Sequence, residues 1–397
     1  MKRSMKRPMT RAAARLAAAS LAAAALVATP TRADQGVTDD EVVVGSVSDL
    51  SGIFAAFGAP AAATAQMHFD AVNAAGGIHG RRIRFVVEDM GYQMPKAMQA
   101  YNKLLNRDKV FAMLLSLGTP MNIAGLKLMT PKNVPNLTPL SAARQLLDEP
   151  MRLRFMGSAS YYEQVRLAAA YMAETYGVAS ACTMYIPSDF GKEVQEAIRD
   201  EADANAALSY VAETTHKPDE ADFVGALQKL NAEGCELIGV ALGVRQVITV
   251  AGTAKKLGLT HLKLLGSSGA FHTVVAAVPG GVTEGLYAAA GWVDLAARAD
   301  EPEPAAFIAA YQEKFGEFPG TAALIGYMGA TGFTRALEEA GRDLTVDSFI
   351  DAMERLDYYD GLTDNHISYS AEDHVGAEAT ILSAVEDGRW KEVARLK

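Results

Sequence analysis

From residue 41 onward, short apolar runs suited to strands alternate with longer helical stretches, and this rhythm limits the chain's fold more than any other feature. Strands separated by helices at this spacing run parallel, because each helix carries the chain back across the sheet to start the next strand in the same direction. The first run, VVVGSV at residues 42–47, has apolar residues around a single glycine and suits a strand covered on both faces. An alanine-rich helix is expected over residues 60–75, ended by Gly76 and Gly77. Strands are expected at 82–89, 110–117 and 136–138, with helices at 95–106 and 121–129 between them.

A second series of the same kind begins after residues 152–158. Helices are expected at 161–176, 192–206, 219–233 and 245–257, and strands at 181–187, 208–213, 236–242 and 262–266. From Gly285 the rhythm breaks into helices at 304–315, 322–340 and 346–356 and a strand-like tail over 366–393. Two complete α/β series predict two similar lobes, and the helical third part packs most economically by returning over the first. With 397 residues, half of them hydrophobic and 21% charged, the chain is long enough for two cores.

Residues 1–33 are set apart from this pattern. A basic segment from Lys2 to Arg15 precedes an apolar core of twelve residues at 16–27, interrupted only by Ser20 and too short for the roughly 20 that span a bilayer. The small residues at Thr31 and Ala33 complete an export signal with cleavage expected near Ala33. This segment holds seven of the 37 Lys and Arg and none of the 47 Asp and Glu, so its removal takes the formal charge from −10 to −17 (30 − 47). So acidic a chain is a poor partner for nucleic acid or anionic membrane. Cys182 and Cys235, each at or just before an expected strand, either bridge in an oxidising compartment or stay buried as free thiols.

The search for catalytic chemistry finds little. The glycines of AAGGIHGRR at 74–82 end a helix and enter a strand, the reverse of the strand, loop and helix order that presents a helix N-terminus to phosphate. The seven histidines contain no HExxH and no helical pair four apart, and no GxSxG elbow occurs. No metal or cofactor is therefore expected. The strand ends instead offer small hydroxyls and open backbone: Ser48 to Gly52 after the first strand, Ser116 to Asn122 after the third, and Pro139 to Ala142 after the fourth. Such turns hold a carboxylate through N–H and O–H donors without a formal positive charge.

Several stretches, in this order, carry a resemblance: VVVGSVSDLSG with a following FG, NAAGGIHGRRIRFVVED, GTPMN, VPNLTPLSA, PSDFGKEV, KPDEADFVGALQKL and AALIGYMGATGF. The chain resembles the type I periplasmic solute-binding proteins of ABC importers, in the leucine/isoleucine/valine-binding branch. The resemblance implies an α/β fold of two doubly wound parallel-sheet lobes joined by a hinge of three crossings. The lobes are expected at 34–155 with 288–362, and at 156–287 with 363–397. It implies a monomer in the periplasm that binds a small carboxylate-bearing solute by cleft closure and delivers it to a cognate permease in the inner membrane, with no nucleic-acid partner. A periplasmic sensor and a periplasmic enzyme are the other classes considered.

By the same resemblance, Phe57 stands over the ligand side chain, Thr119 holds its carboxylate, Ser141 and Ala142 its head group, and Phe190 and Tyr327 add aromatics. Tyr162, early in the helix after the crossover, is a further cleft candidate, and Arg245 a candidate attractor of an anionic group. Where amino-acid binders of the branch carry an acid for the ammonium group, this chain has Ser267, Ser268 and Gly269. Burying an ammonium without a carboxylate costs several kcal/mol. A branched-chain amino acid therefore requires a substitute acid such as Asp189 or Glu163, and an organic or aromatic acid does not.

Overall fold

A computed structural model describes Met1 and residues 34–396. The export segment and its cleavage point at Ala33 lie outside the described residues. The first sheet holds β1 (Glu41–Ser48), β2 (Arg82–Asp89), β3 (Ala112–Leu114), β4 (Asn136–Leu137) and β5 (Arg154–Phe155) in the order β2-β1-β3-β4-β5, all parallel. β1 pairs with β2 from Glu41 opposite Arg82 to Ser48 opposite Asp89, and residues 42–48 are buried, as a strand covered on both faces requires.

The second sheet holds β6 (Ser180–Tyr185), β7 (Ser209–Thr215), β8 (Leu237–Ala241), β9 (Lys263–Gly266) and β10 (Tyr287–Ala290) in the order β7-β6-β8-β9-β10. This repeats the topology of the first. Two further strands, β13 (Thr380–Glu386) and β14 (Arg389–Leu396), extend it antiparallel beyond β10. The wholly parallel second lobe expected from the rhythm is thus mixed. Asp387 and Gly388 both have positive φ, 53° and 73°, and form the two-residue turn that joins β13 to β14. β11 (Asp357–Asp360) and β12 (Asn365–Ser368) make a separate hairpin.

Helices α1 (Ala55–Ala74), α2 (Met94–Asn102) and α3 (Thr119–Met129) connect the strands of the first sheet. In the second, α4 (Tyr161–Tyr176) leads into β6, and α5 (Asp189–Ala204), α6 (Val224–Ala232), α7 (Val244–Lys256) and the single turn α8 (Thr273–Ala276) follow. The chain then returns through α9 (Pro302–Phe315), α10 (Thr321–Ala340) and α11 (Val346–Met353). α10 lies directly on α1: a Cβ placed on Gly326 would stand 2.3 Å from the Ala61 carbonyl oxygen, so only glycine permits this approach. The expected boundary at 287/288 falls inside β10, whose residues pair with β9 and β13, and the one at 362/363 falls between the two strands of the β11–β12 hairpin.

Cys182 in β6 and Cys235 just before β8 form a disulfide with a Cα separation of 5.9 Å. β6 and β8 are neighbours, which is what brings the two thiols together. Among the described residues no helix is long and apolar enough to cross a membrane, and no group of three His, Cys, Asp or Glu could hold a metal ion.

Candidate functional site

In a sheet of order 2-1-3-4-5 the connections leave on opposite faces from neighbouring strands β1 and β3, opening a crevice at their carboxyl ends. Both sheets have this order, and a cavity lies where the two sets of strand ends meet. One wall comes from the first sheet through Phe54, Phe57, Tyr92, Thr119, Ser141 and Ala142. Facing it are Tyr161, Phe190, Ser268, Gly269 and Trp292.

The polar end is built from two strand-end turns. Gly118, with φ 92°, turns the chain after β3 so that Thr119 becomes the first residue of α3. The Asn122 side chain donates to the carbonyls of Ser116 and Gly118, at 2.9 and 3.0 Å, and fixes that turn. After β4, Ser141 lies with its Oγ 2.7 Å from Thr119 Oγ1. The Thr119 and Ser141 backbone N–H groups donate to no backbone acceptor among the described residues, the Ala142 N–H faces the Tyr161 hydroxyl, and the Ala142 carbonyl accepts from the Tyr161 N–H at 2.7 Å. The polar end is therefore a set of neutral donors backed by the N-terminus of α3, an arrangement that favours an anion.

Two buried polar atoms at the cavity wall have no partner among the described residues: Trp292 Nε1 and Thr138 Oγ1. Thr138 has φ 38°, a left-handed conformation that a β-branched residue adopts only under strain. The apolar end is aromatic. Phe54 packs on Tyr92 with ring centroids 4.8 Å apart, and Phe190 meets Phe54 edge-on at 6.0 Å and Tyr161 at 5.1 Å. Burial raises the Tyr92 phenol above its ordinary pKa and pushes Tyr161 up to about 12, so both rings face the cavity as neutral hydroxyls.

Among the described residues, no charged side chain lines the cavity. The nearby acids are turned to the backbone. Asp49 accepts from the N–H groups of Gly52 and Phe54, at 2.6 and 2.8 Å, and Asp89 from those of Leu50 and Gly91, at 2.9 Å each. In the turn after β1, expected to offer free donors, the Leu50 and Gly52 N–H groups are thus taken by carboxylates. Glu163 closes the capping box of α4 with Ser160, and neither it nor Asp189 reaches the cavity.

Phe57, Thr119, Ser141, Ala142, Phe190 and Ser268 all line the cavity. Tyr162, Arg245 and Tyr327 do not. Tyr162 points across to Asp200 on α5, to which its hydroxyl donates at 2.8 Å, beneath the Arg144 guanidinium at 3.6 Å. Arg245 is exposed on the outer face of α7. Tyr327 packs against His68 and Phe307, with centroids at 5.3 and 5.0 Å, because one residue along a helix turns the side chain by about 100°. Its neighbours Ile325 and Met328 take the cavity face instead. Trp292, Phe54 and Tyr92 were missed, and Trp292 had a usable signal in standing two residues beyond the apolar run YAAA.

A leucine-, isoleucine-, valine-, threonine- and alanine-binding protein of Pseudomonas aeruginosa is 21% identical over 309 residues, 78% of this chain and 81% of the relative. Among solved structures, a fatty acid ABC transporter substrate-binding protein from Thermomonospora curvata superposes with a TM-score of 0.83 at 24% identity, covering 92% of this chain and 94% of that one. A branched-chain amino acid ABC transporter protein from Thermus thermophilus with bound valine gives 0.81 at 21% identity, covering 91% and 97%. At these identities the superpositions speak for the fold. The periplasmic binding protein family model matches residues 41–389, nearly the whole chain. The chain therefore belongs to the periplasmic binding protein family, with the type I fold.

Proposed function

We propose that this protein is the solute-binding component of an ABC importer whose ligand is a small apolar carboxylic acid without an ammonium group. One observation carries the reading: the polar end of the cavity offers hydroxyl and N–H donors from Thr119, Ser141 and Ala142, and among the described residues no carboxylate lines the cavity. Neutral donors at a helix N-terminus suit an anionic head group, and an α-amino acid would have to bury its ammonium unpaired. The aromatic end, from Phe54 to Phe190, suits an apolar tail or ring.

In this reading the two sheets anchor two lobes, and ligand draws them together because its head and tail touch both. The protein works in the periplasm after loss of residues 1–33, hands its solute to a permease in the inner membrane, and performs no chemistry on it. A thermal-shift screen tests the reading: hexanoic and benzoic acids raise the melting temperature and leucine does not, since ligand at 100 times its Kd stabilises by about 2.7 kcal/mol. A shift with leucine and none with either acid overturns it.

A further inference from the structure

The turn that carries Ser141 and Ala142 runs on into one turn of 3-10 helix, Arg144–Leu147, whose first residue reaches across to the second sheet. Arg144 Nε donates to Glu193 Oε1 at 3.0 Å, the Arg144 backbone N–H to Glu193 Oε2 at 3.2 Å, and Nη2 to Glu196 Oε2 at 2.6 Å. Both acids stand on α5, the helix whose Phe190 lines the cavity. The guanidinium lies flat over Tyr162 of α4, and the Tyr162 hydroxyl is itself held by Asp200, so the cation rests on a fixed aromatic face. Arg144 itself does not line the cavity.

Ion pairs between exposed side chains contribute little, as is expected for Lys314 with Asp70, which are 41% and 50% exposed. The Glu193 side chain, in contrast, has no exposed surface, and among the described residues Arg144 is its one hydrogen-bonding partner. A buried carboxylate is tolerated while its cation is in place, and removing that cation leaves a charge that nothing compensates. Arg144 lies between β4 and β5 of the first sheet, and α5 between β6 and β7 of the second. Parting the two sheets pulls Arg144 away from Glu193, and water then takes its place on the carboxylate.

We infer, building on the cleft-closure reading above, that Arg144 is a positioning residue for the solute: it latches the closed cleft through Glu193 and Glu196 without touching the ligand. A solute held by the turn at 139–142 fixes the point from which Arg144 starts, and the same solute against Phe190 fixes the helix on which its acids stand. Ligand and latch thus brace one pair of elements, the first from inside the cavity and the second from outside it. How long the solute stays bound is set in part by this pair.

Stopped-flow and calorimetric titration of the purified protein with hexanoic acid, and in parallel with leucine, test this. Arg144→Met keeps the apolar stem and removes the cation; binding should weaken more than about tenfold through faster dissociation, with association within about threefold, as for other buried charge pairs. Glu193→Gln discards the buried charge, so adding Arg144→Met to it should cost less than about threefold, since no uncompensated carboxylate is left behind. Glu196→Ala removes only an exposed bond and should speed dissociation about threefold or less. The melting temperature of the ligand-free Arg144→Met protein should barely move, because the pair forms on closure. Unchanged affinity, a loss carried by association alone, or an equal loss with and without Glu193→Gln overturns the inference and leaves the carboxylic-acid reading standing. Binding of leucine in place of hexanoic acid overturns the carboxylic-acid reading, and the same variants then judge the latch on leucine. Binding of neither overturns both.

Discussion

His272 Nε2 donates to the Ala56 carbonyl at 2.9 Å, an acceptor that Pro60 leaves without its usual helical partner. In an α-helix the carbonyl of residue 56 bonds the N–H of residue 60, and proline has none. The sequence places Pro60 inside α1, five residues beyond its start, and the helix persists because the orphaned carbonyl finds a donor from the loop after β9. The other ring nitrogen, Nδ1, accepts from the Val274 N–H at 3.1 Å, which assigns the proton to Nε2. The imidazole also meets Phe57 edge-on at 4.6 Å, so one residue joins the second sheet to the ligand-facing turn of the first.

This bond makes closure sensitive to acid. Burial, only partly offset by the Ala56 carbonyl, lowers the His272 pKa from 6.5 to about 4. A depressed histidine contributes fully above its ordinary pKa and loses that contribution as pH falls from about 6.5 toward 4, where the buried ring must accept a proton. Protonation would also set an Nδ1–H against the Val274 N–H. Affinity for hexanoic acid should therefore weaken on acidification to the extent that opening of the cleft frees the ring to be protonated. His272→Gln, whose amide can still reach Ala56, should flatten the profile relative to the unaltered protein. The comparison cancels the titration of the acid itself, and parallel profiles would exclude His272.

Thr119→Val removes one hydroxyl and keeps the shape. The Thr119 and Ser141 hydroxyls are hydrogen-bonded to each other at 2.7 Å, so one proton joins the pair and the other is left to donate to a carboxylate beside it. Hydrogen bonds to charged groups contribute about 1.5–3 kcal/mol, which predicts a loss of roughly tenfold to a hundredfold in acid affinity. The melting temperature of the free protein should barely move. Unchanged affinity in titration would remove Thr119 from the site.

Ser268→Asp supplies the carboxylate that the cavity lacks. Ser268 lines the cavity, and its N–H is already held by Gln164 Oε1 at 2.9 Å, so the loop should keep its course. Leucine binding should appear and hexanoic acid binding should fall by more than tenfold, both read by calorimetry. Loss of the acid without gain of leucine would show that the ammonium position lies elsewhere.

The Cys182–Cys235 disulfide stabilises the second sheet away from the cavity. It closes a loop of 53 residues between two buried positions. Replacing both cysteines by serine should cost about 2–4 kcal/mol in denaturant unfolding and leave acid affinity unchanged. A change in affinity of tenfold or more would couple this bridge to the cleft.

Much of the fold was legible because buried parallel strands announce themselves as apolar runs, as β1 and β8 do. β10 was not, because YAAA lacks the branched and aromatic residues that mark strands, and it is held by β9 and β13 on either side. At the site, strand-end position was informative for Thr119 and Ser141, while helical phase defeated the reading of Tyr162 and Tyr327. Which face a helical residue presents depends on what packs beside it, and the partners of Tyr327, His68 and Phe307, are far away in sequence. The role of Pro60 was invisible for the same reason, since its consequence is a bond to His272.

The central claim is that the cleft takes the carboxylate and rejects the ammonium. Leucine and 4-methylpentanoic acid differ only by the amino group, so titration calorimetry of the two at neutral pH isolates it. The acid is expected to bind at least a hundredfold more tightly than leucine. Equal affinity, or tighter binding of leucine, would contradict the account.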